Sequence, residues 1–241
     1  MIKEQEQMNT VEQLKSELQG FSAEQILKYF LERYRGQIAF SSSMAAEDQV
    51  VTDMICGVDP SAEIFTLDTG RLPQESYDTI EKTNARYGIK IKMYFPDSRH
   101  VEEMLSESGP NFFYRSLEER KRCCYIRKIE PLKRALKGKK VWICGIRKEQ
   151  SVTRQDMEPV QWDDTFKVIK VSPILDWSTE EVWDYIKENK VPYNRLHDKG
   201  YPSIGCAPCT RAVENGQDIR AGRWWWENPE HKECGLHLDS N

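Results

Sequence analysis

Apolar residues recur along this chain in two alternating periods. Ile26, Leu27, Phe30 and Leu31 stand three and four apart, the spacing of one face of an amphipathic helix. Short, nearly unbroken apolar runs follow at QIAFSS (37–42), EIFTLDTG (63–70), KIKMYF (90–95), KKVWICGIR (139–147) and FKVIKVSPI (166–174). Runs this short, rich in Ile, Val and aromatic residues, predict buried strands. The stretches between them are polar with helical character: a segment ending near Cys56, Pro73–Tyr87, RHVEEMLSES, SLEERKRCCYIRKIEPLKRALKG and STEEVWDYIKENK (178–190). Thr10 with Gln13, Ser22 with Gln25, and Ser178 with Glu181 each have the capping-box spacing, which predicts three helix starts.

Strands alternating with helices predict an α/β fold, a mainly parallel twisted sheet with helices on both faces. Ligands of such sheets bind beyond the carboxyl ends of the strands. The turns at Ser41–Asp48, Asp68–Arg71 and Gly145–Arg154 are therefore expected to share one edge. From about Pro192 the periodicity fades into Pro- and Gly-rich chain. The expected organisation is one α/β body over 1–210, opened by helices over about 10–34, and a mobile tail over 211–241.

Composition narrows the class. The chain has 241 residues, 39% hydrophobic and 31% charged, with no apolar run long enough for a membrane-spanning helix. Its first twenty residues lack the apolar core of a signal peptide, so a cytoplasmic protein is expected. A net charge of −4 argues against wholesale nucleic-acid binding. Seven cysteines in a reducing compartment point to metal binding or thiol chemistry ahead of structural disulfides.

Cys206 and Cys209 form a C-x-x-C in a Gly/Pro-bounded turn, a spacing shared by redox dithiols, zinc sites and clusters. Neighbouring Cys123 and Cys124 diverge by about 100° on a helix. That suits a cluster several ångströms across better than a single ion, and four cysteines are the usual ligand set of iron–sulfur clusters. Zinc, or an incidental cysteine pair, remains the alternative. Cys56 and Cys144 lie in apolar runs and read as buried free thiols. Cys234, in KECGLH, follows Lys232 and precedes His237, a setting that favours a reactive thiolate. Upstream, RAGRWWW sets Arg220 and Arg223 three apart beside three tryptophans. Such arginines can grip a polyanion together, with Lys128, Arg147 and Arg154 as further cations. An aromatic–basic run of this kind also fits a single-stranded nucleic-acid platform.

AFSSSMAAED, FTLDTGRLPQESY, CCYIRK, CGIRKEQSVTR, SPILDWS, PYNRLHDKGYPSIGCAPCT, RAGRWWW and KECGLH, in this order, resemble the assimilatory sulfonucleotide reductases. The resemblance runs from about Gln37 to His237 and is to the iron–sulfur branch that reduces adenosine 5′-phosphosulfate (APS). It implies a PP-loop, or adenine nucleotide α-hydrolase-like, fold. Ser42, Ser43 and Asp48 would belong to a modified phosphate-binding loop. Leu67, Asp68, Gly70 and Gly145 would lie against adenosine, and Lys128, Arg154, Arg220, Arg223 and His237 around the phosphosulfate, while Arg147 is a candidate substrate-binding cation by its residue type alone. Cys123, Cys124, Cys206 and Cys209 would hold a [4Fe–4S] cluster. Cys234 would attack sulfur to give S-sulfocysteine and AMP, and thioredoxin or glutaredoxin would release sulfite. The implied setting is sulfate assimilation and cysteine biosynthesis, with a homo-oligomer compatible with the sequence. Ala45 stands where the family commonly has glycine, which puts the loop's backbone path in question.

Two rivals belong to the same fold. A reductase of 3′-phosphoadenosine 5′-phosphosulfate (PAPS), or a dual enzyme, usually lacks the four cysteines. An ATP-hydrolysing adenylating enzyme such as a tRNA thiolase carries an S-G-G-x-D-S-like loop, which SSSMAAED is not.

Overall fold

The computed structural model describes residues 2–151, 154–214 and 216–228. Among the described residues six strands form one sheet in the order β3-β2-β1-β4-β6-β5. They are β1 (Ile38–Ser41), β2 (Glu63–Leu67), β3 (Lys92–Tyr94), β4 (Val141–Cys144), β5 (Val160–Asp163) and β6 (Val168–Val171). β1 to β4 and β6 run parallel, while β5 pairs antiparallel with β6.

Because strand side chains alternate in direction, the sheet makes two cores. Ile38, Phe40, Val141, Ile143, Ile169 and Val171 pack on one face against α1 (Ile2–Glu17), α2 (Ala23–Arg33), α3 (Ala46–Val58) and α8 (Thr179–Asn189). Ala39, Trp142, Cys144 and Val168 point the other way, towards Leu132, Ala135 and Leu136 of α7 (Glu130–Ala135) or just beyond it. The α2 stripe Ile26, Leu27, Phe30 and Leu31 is buried, as its spacing predicts. Helices thus cover both faces, with α4 (Gln74–Tyr87), α5 (Ser98–Ser108) and α6 (Leu117–Cys124) completing the set. Among the described residues no helix is long and apolar enough to cross a membrane.

The local signals fare unevenly. Ser22 and Ser178 do cap α2 and α8 with complete capping boxes. Thr10 does not cap a helix, because α1 already runs from Ile2 through it. A Thr–Gln spacing is tolerated inside a helix, and packing of Val11, Leu14 and Leu18 into the core carries the element past it. The long basic helix expected over SLEERKRCCYIRKIEPLKRALKG is interrupted between α6 and α7 by a π-turn at Tyr125–Ile129. β5 was not expected. Its connection to β6 turns at Lys167, which sits in the left-handed region at φ 55° with no glycine to announce the turn.

Candidate active site

The turns after β1, β2 and β4 do meet at one sheet edge. They enclose a cavity of about 1160 Å³, counting its open mouth, closed on the far side by Pro202–Cys206, Arg220 and Arg223. Ser42, Ser43, Asp48, Leu67, Lys128, Gly145, Arg154, Arg220 and Arg223 all line it. Four cations therefore face one pocket, suited to a multiply charged anion.

The loop after β1 is held by its own side chains. The Ser43 backbone N–H and hydroxyl both donate to Asp48 Oδ2, at 2.6 and 2.5 Å, and the Met44 N–H donates to Ser42 Oγ at 3.2 Å. Burial pushes the Asp48 carboxyl up from 3.8 to about 6, against the opposing Ser43 and Gly145 backbone donors. A Cβ at Gly145 would fall 2.1 Å from Asp48 Oδ1, so only glycine lets β4 and α3 approach this closely. Ala45 is accommodated easily: its φ of −83° and ψ of 171° are ordinary extended values. The left-handed residue is Met44, at φ 64°, buried one position earlier.

A second, smaller cavity of about 380 Å³, again counting its open mouth, lies beside the first. Cys123, Cys124, Cys206 and Cys209 all line it, together with Arg71, Arg120, Arg127, Lys128, Phe113 and Trp224. Lys128 and Cys206 belong to both cavities. The π-turn that follows Cys124 carries Lys128, and π-turns inside helices commonly sit at functional sites. Burial raises the thiol of Cys123, and that of Cys209 to about 12, although Lys128 and neighbouring arginines pull both back. Arg127 Nε and Trp224 Nε1 are buried in this wall without a hydrogen-bond partner among the described residues. No three His, Cys, Asp or Glu side chains among the described residues are grouped as they would be around a single metal ion.

A family model described as "Phosphoadenosine phosphosulfate reductase domain" matches residues 37–212. The adenosine 5′-phosphosulfate reductase of Allochromatium vinosum is 52% identical over 200 residues, covering 83% of this chain and 78% of that protein. The enzyme of the same name from Burkholderia cepacia is 47% identical over 202 residues, covering 84% and 81%. The chain belongs to the adenosine 5′-phosphosulfate reductase family. It is thereby an oxidoreductase of the kind that acts on sulfur groups. Among solved structures, a PAPS reductase from Candida auris in a phosphate complex superposes with a TM-score of 0.71 at 26% identity, over 84% of this chain and 96% of that one.

Set against the site expected from the sequence, some residues take other places. Arg147 does not line the pocket. It is buried, donating to Glu47 at 2.9 and 3.2 Å, to Glu149 at 2.9 Å, and to the Trp177 carbonyl and Thr179 hydroxyl. Two carboxylates satisfy it, so it braces α3 against α8 where a substrate-gripping role was expected. Asp68 and Gly70 shape the turn after β2: the Asp68 carboxylate accepts from the Gly70 N–H at 2.8 Å and from Tyr77 Oη at 2.9 Å. Gly70 stands at φ 69°. Trp224 is 1% exposed, with the guanidinium groups of Arg120, Arg220 and Arg223 over its ring at 4.6, 5.7 and 4.6 Å. Packed this way it cannot stack on a nucleic-acid base, so the platform reading fails at that tryptophan. Cys234 and His237 lie outside the described residues.

Other members of the two cavities carried no local signal. Arg71 and Arg127 reach the cysteine cavity, Arg127 through a 2.6 Å bond to the Thr69 carbonyl. Gly205 leaves room for Arg223, whose guanidinium would lie 2.3 Å from a Cβ there. Glu227 forms a buried ion pair with Arg120 at 2.8 Å. The segment between Arg220 and Glu227 is thus folded into the body, with the Trp224 N–H donating to the Cys209 carbonyl at 3.2 Å.

Proposed function

We propose that this protein reduces adenosine 5′-phosphosulfate to sulfite and AMP in sulfate assimilation and cysteine biosynthesis. The observation that carries the reading is the shared wall: a four-cation pocket and a four-cysteine cavity meet at Lys128 and Cys206. Nucleotide would enter the sheet-edge pocket, with its phosphosulfate among Lys128, Arg154, Arg220 and Arg223. Those cations stabilise the charge that develops on AMP as the sulfur–oxygen bond breaks.

The nucleophile is the Cys234 thiolate. Its Sγ attacks the sulfonate sulfur, AMP departs with the bridging oxygen, and S-sulfocysteine remains. A dithiol of the thioredoxin or glutaredoxin type then attacks Cys234 Sγ and releases sulfite. Its second thiol resolves the mixed disulfide and regenerates the Cys234 thiol. Both electrons come from that dithiol.

Cys123, Cys124, Cys206 and Cys209 fit a [4Fe–4S] cluster better than a lone ion. They surround one cavity instead of a point, and the orphaned donors Arg127 Nε and Trp224 Nε1 are what sulfur acceptors would satisfy. When bound, the cluster supplies a structural anchor and an electrostatic field beside the sulfate. Lys128, in both walls, attracts the sulfate oxygens from the protein side.

The deciding experiment is steady-state turnover of APS and PAPS at equal concentration with thioredoxin as reductant. Preference for APS is expected. A strong preference for PAPS would overturn the substrate assignment. Cys234→Ser should abolish sulfite release while keeping AMP affinity, and undiminished turnover by that variant would remove Cys234 as nucleophile.

A further inference from the structure

The amides of the loop between β1 and α3 are unequally used. Ser42 N–H donates to the Phe65 carbonyl, Ser43 N–H to Asp48, and Met44 N–H to Ser42 Oγ. The amides of Ala45, Glu47 and Asp48 have no hydrogen-bond partner among the described residues, and all three residues line the sheet-edge pocket. They are donors at the start of a 13-residue helix, where anions are favoured. Between them stands Ala46, which does not line that pocket. It lines a neighbouring cavity, together with Glu47, Arg147, Trp183 and His197. There its N–H donates to His197 Nε2 at 3.2 Å.

Helix α3 has no capping side chain of its own, because its N-cap is Ala45. No N-cap side chain is there to accept from the Glu47 or Asp48 amides, and the first helical amide, that of Ala46, is taken by His197, 151 residues away. The His197 ring packs edge-on against Trp183 of α8, with centroids 5.3 Å apart and planes at 83°. To accept, Nε2 must carry a lone pair, so the ring must be neutral. Burial holds the imidazole below its ordinary 6.5, against the opposing pull of Glu47 and Asp198. His197 also opens the turn that leads to Cys206 and Cys209.

We infer that His197 is a positioning residue for the nucleotide's phosphate: by taking the Ala46 amide it holds Ala45, Glu47 and Asp48 with their own amides committed to the pocket. The inference rests on the nucleotide-binding reading above and adds the residue on which that loop's geometry depends. Without the acceptor, Ala46 N–H is left buried and unpaired, and the cheapest relief is rotation of the loop. That rotation withdraws the three neighbouring donors from the anion.

The test compares wild type with His197→Phe, His197→Gln and His197→Asn in the full chain. Phe keeps the ring against Trp183 but has no acceptor. Gln carries a carbonyl oxygen near the Nε2 position, and Asn is too short to reach it. Calorimetric titration with AMP should show wild type and His197→Gln binding alike, within about threefold. His197→Phe and His197→Asn should each be weaker by about tenfold, worth about 1.4 kcal/mol. With APS as substrate, KM should rise by a similar factor while kcat stays within about threefold. Hydrogen exchange of the Ala46 amide should accelerate in Phe and Asn and not in Gln.

Equal AMP affinity in all four proteins would overturn the inference. So would equal loss in Gln and Asn, since the acceptor would then not be what matters. If wild type itself binds no AMP, the nucleotide-binding reading falls and takes this inference with it. That result is distinct from equal affinity across the series.

Discussion

The two cavities share Lys128 and Cys206 yet are built from different kinds of chain. The larger is walled by the turns that leave β1, β2 and β4, so parallel strand ends dictate where it lies. Its lining mixes the four cations with apolar side chains such as Leu67, Leu132 and Trp142, and its loop is held by short local hydrogen bonds such as Ser43 to Asp48. The smaller is assembled from segments far apart in sequence: α6 and its π-turn, the turn at Ala207–Cys209, and Trp224. Aromatic contacts bind these pieces, as where Phe113, Tyr114 and Trp226 cluster with centroids 4.4 to 6.2 Å apart. One cavity follows from topology. The other depends on long-range packing and, on the proposal above, on a bound cluster to complete its donor set.

The sharpest break between them comes from removing a thiol. Cys209→Ala should lose the absorbance near 400 nm expected of an iron–sulfur cluster and reduce sulfite production to background. A variant that stays coloured and active would show that the smaller cavity is not a cluster site. Next is the brace beneath the larger cavity. Arg147→Ala strands the buried Glu47 carboxylate and should cost about 3–5 kcal/mol in denaturant unfolding while leaving iron content unchanged. A loss below about 1 kcal/mol would mean that this ion pair does not hold α3 in place.

Lys128 tests the shared wall itself. Lys128→Ala should lower kcat/KM by about 100-fold, about 2.7 kcal/mol, with the chromophore retained. Equal loss of colour and activity would assign Lys128 to the cysteine cavity alone. The smallest effect concerns Asp48, whose carboxyl is raised to about 6 in the fold from 3.8. A raised carboxyl pKa means the folded state holds the proton more tightly than the unfolded chain. Ionised Asp48 therefore weakens the fold, and that penalty is relieved as pH falls through about 6 towards 4. Between pH 7 and pH 5 the wild type should gain about 1 kcal/mol relative to Asp48→Asn. Unfolding midpoints of the two proteins that run parallel across this range would contradict the buried-carboxylate account.

How far each region was legible follows from the range of the forces involved. The sheet-edge turns, the α2 stripe and the caps at Ser22 and Ser178 are local, since periodicity and a three-residue spacing carry them. Thr10 shows the limit of such signals, because a capping spacing is silent about a helix that packing has already extended through it. β5 was invisible because its turn uses Lys167 in the left-handed region where Gly or Asn would have signalled it. Arg147 is the instructive miss among the site residues. In sequence it is one more cation beside a strand end, and only the Glu47 carboxylate, 100 positions away, turns it inward.

By itself the sequence determined the parallel α/β plan, the sheet edge where the turns after β1, β2 and β4 meet, and the cationic and cysteine residue types that line the two cavities there. Those follow from hydrophobic period and side-chain chemistry, which act over a few residues. Only the tertiary structure decided which cations face the pocket and which are neutralised beneath it. It also brought four cysteines to one cavity, enclosed Trp224 between guanidinium groups and tied the first amide of helix α3 to His197. These depend on contacts between segments distant in the chain, where burial and pairing are set by the assembled fold and leave no mark on local pattern.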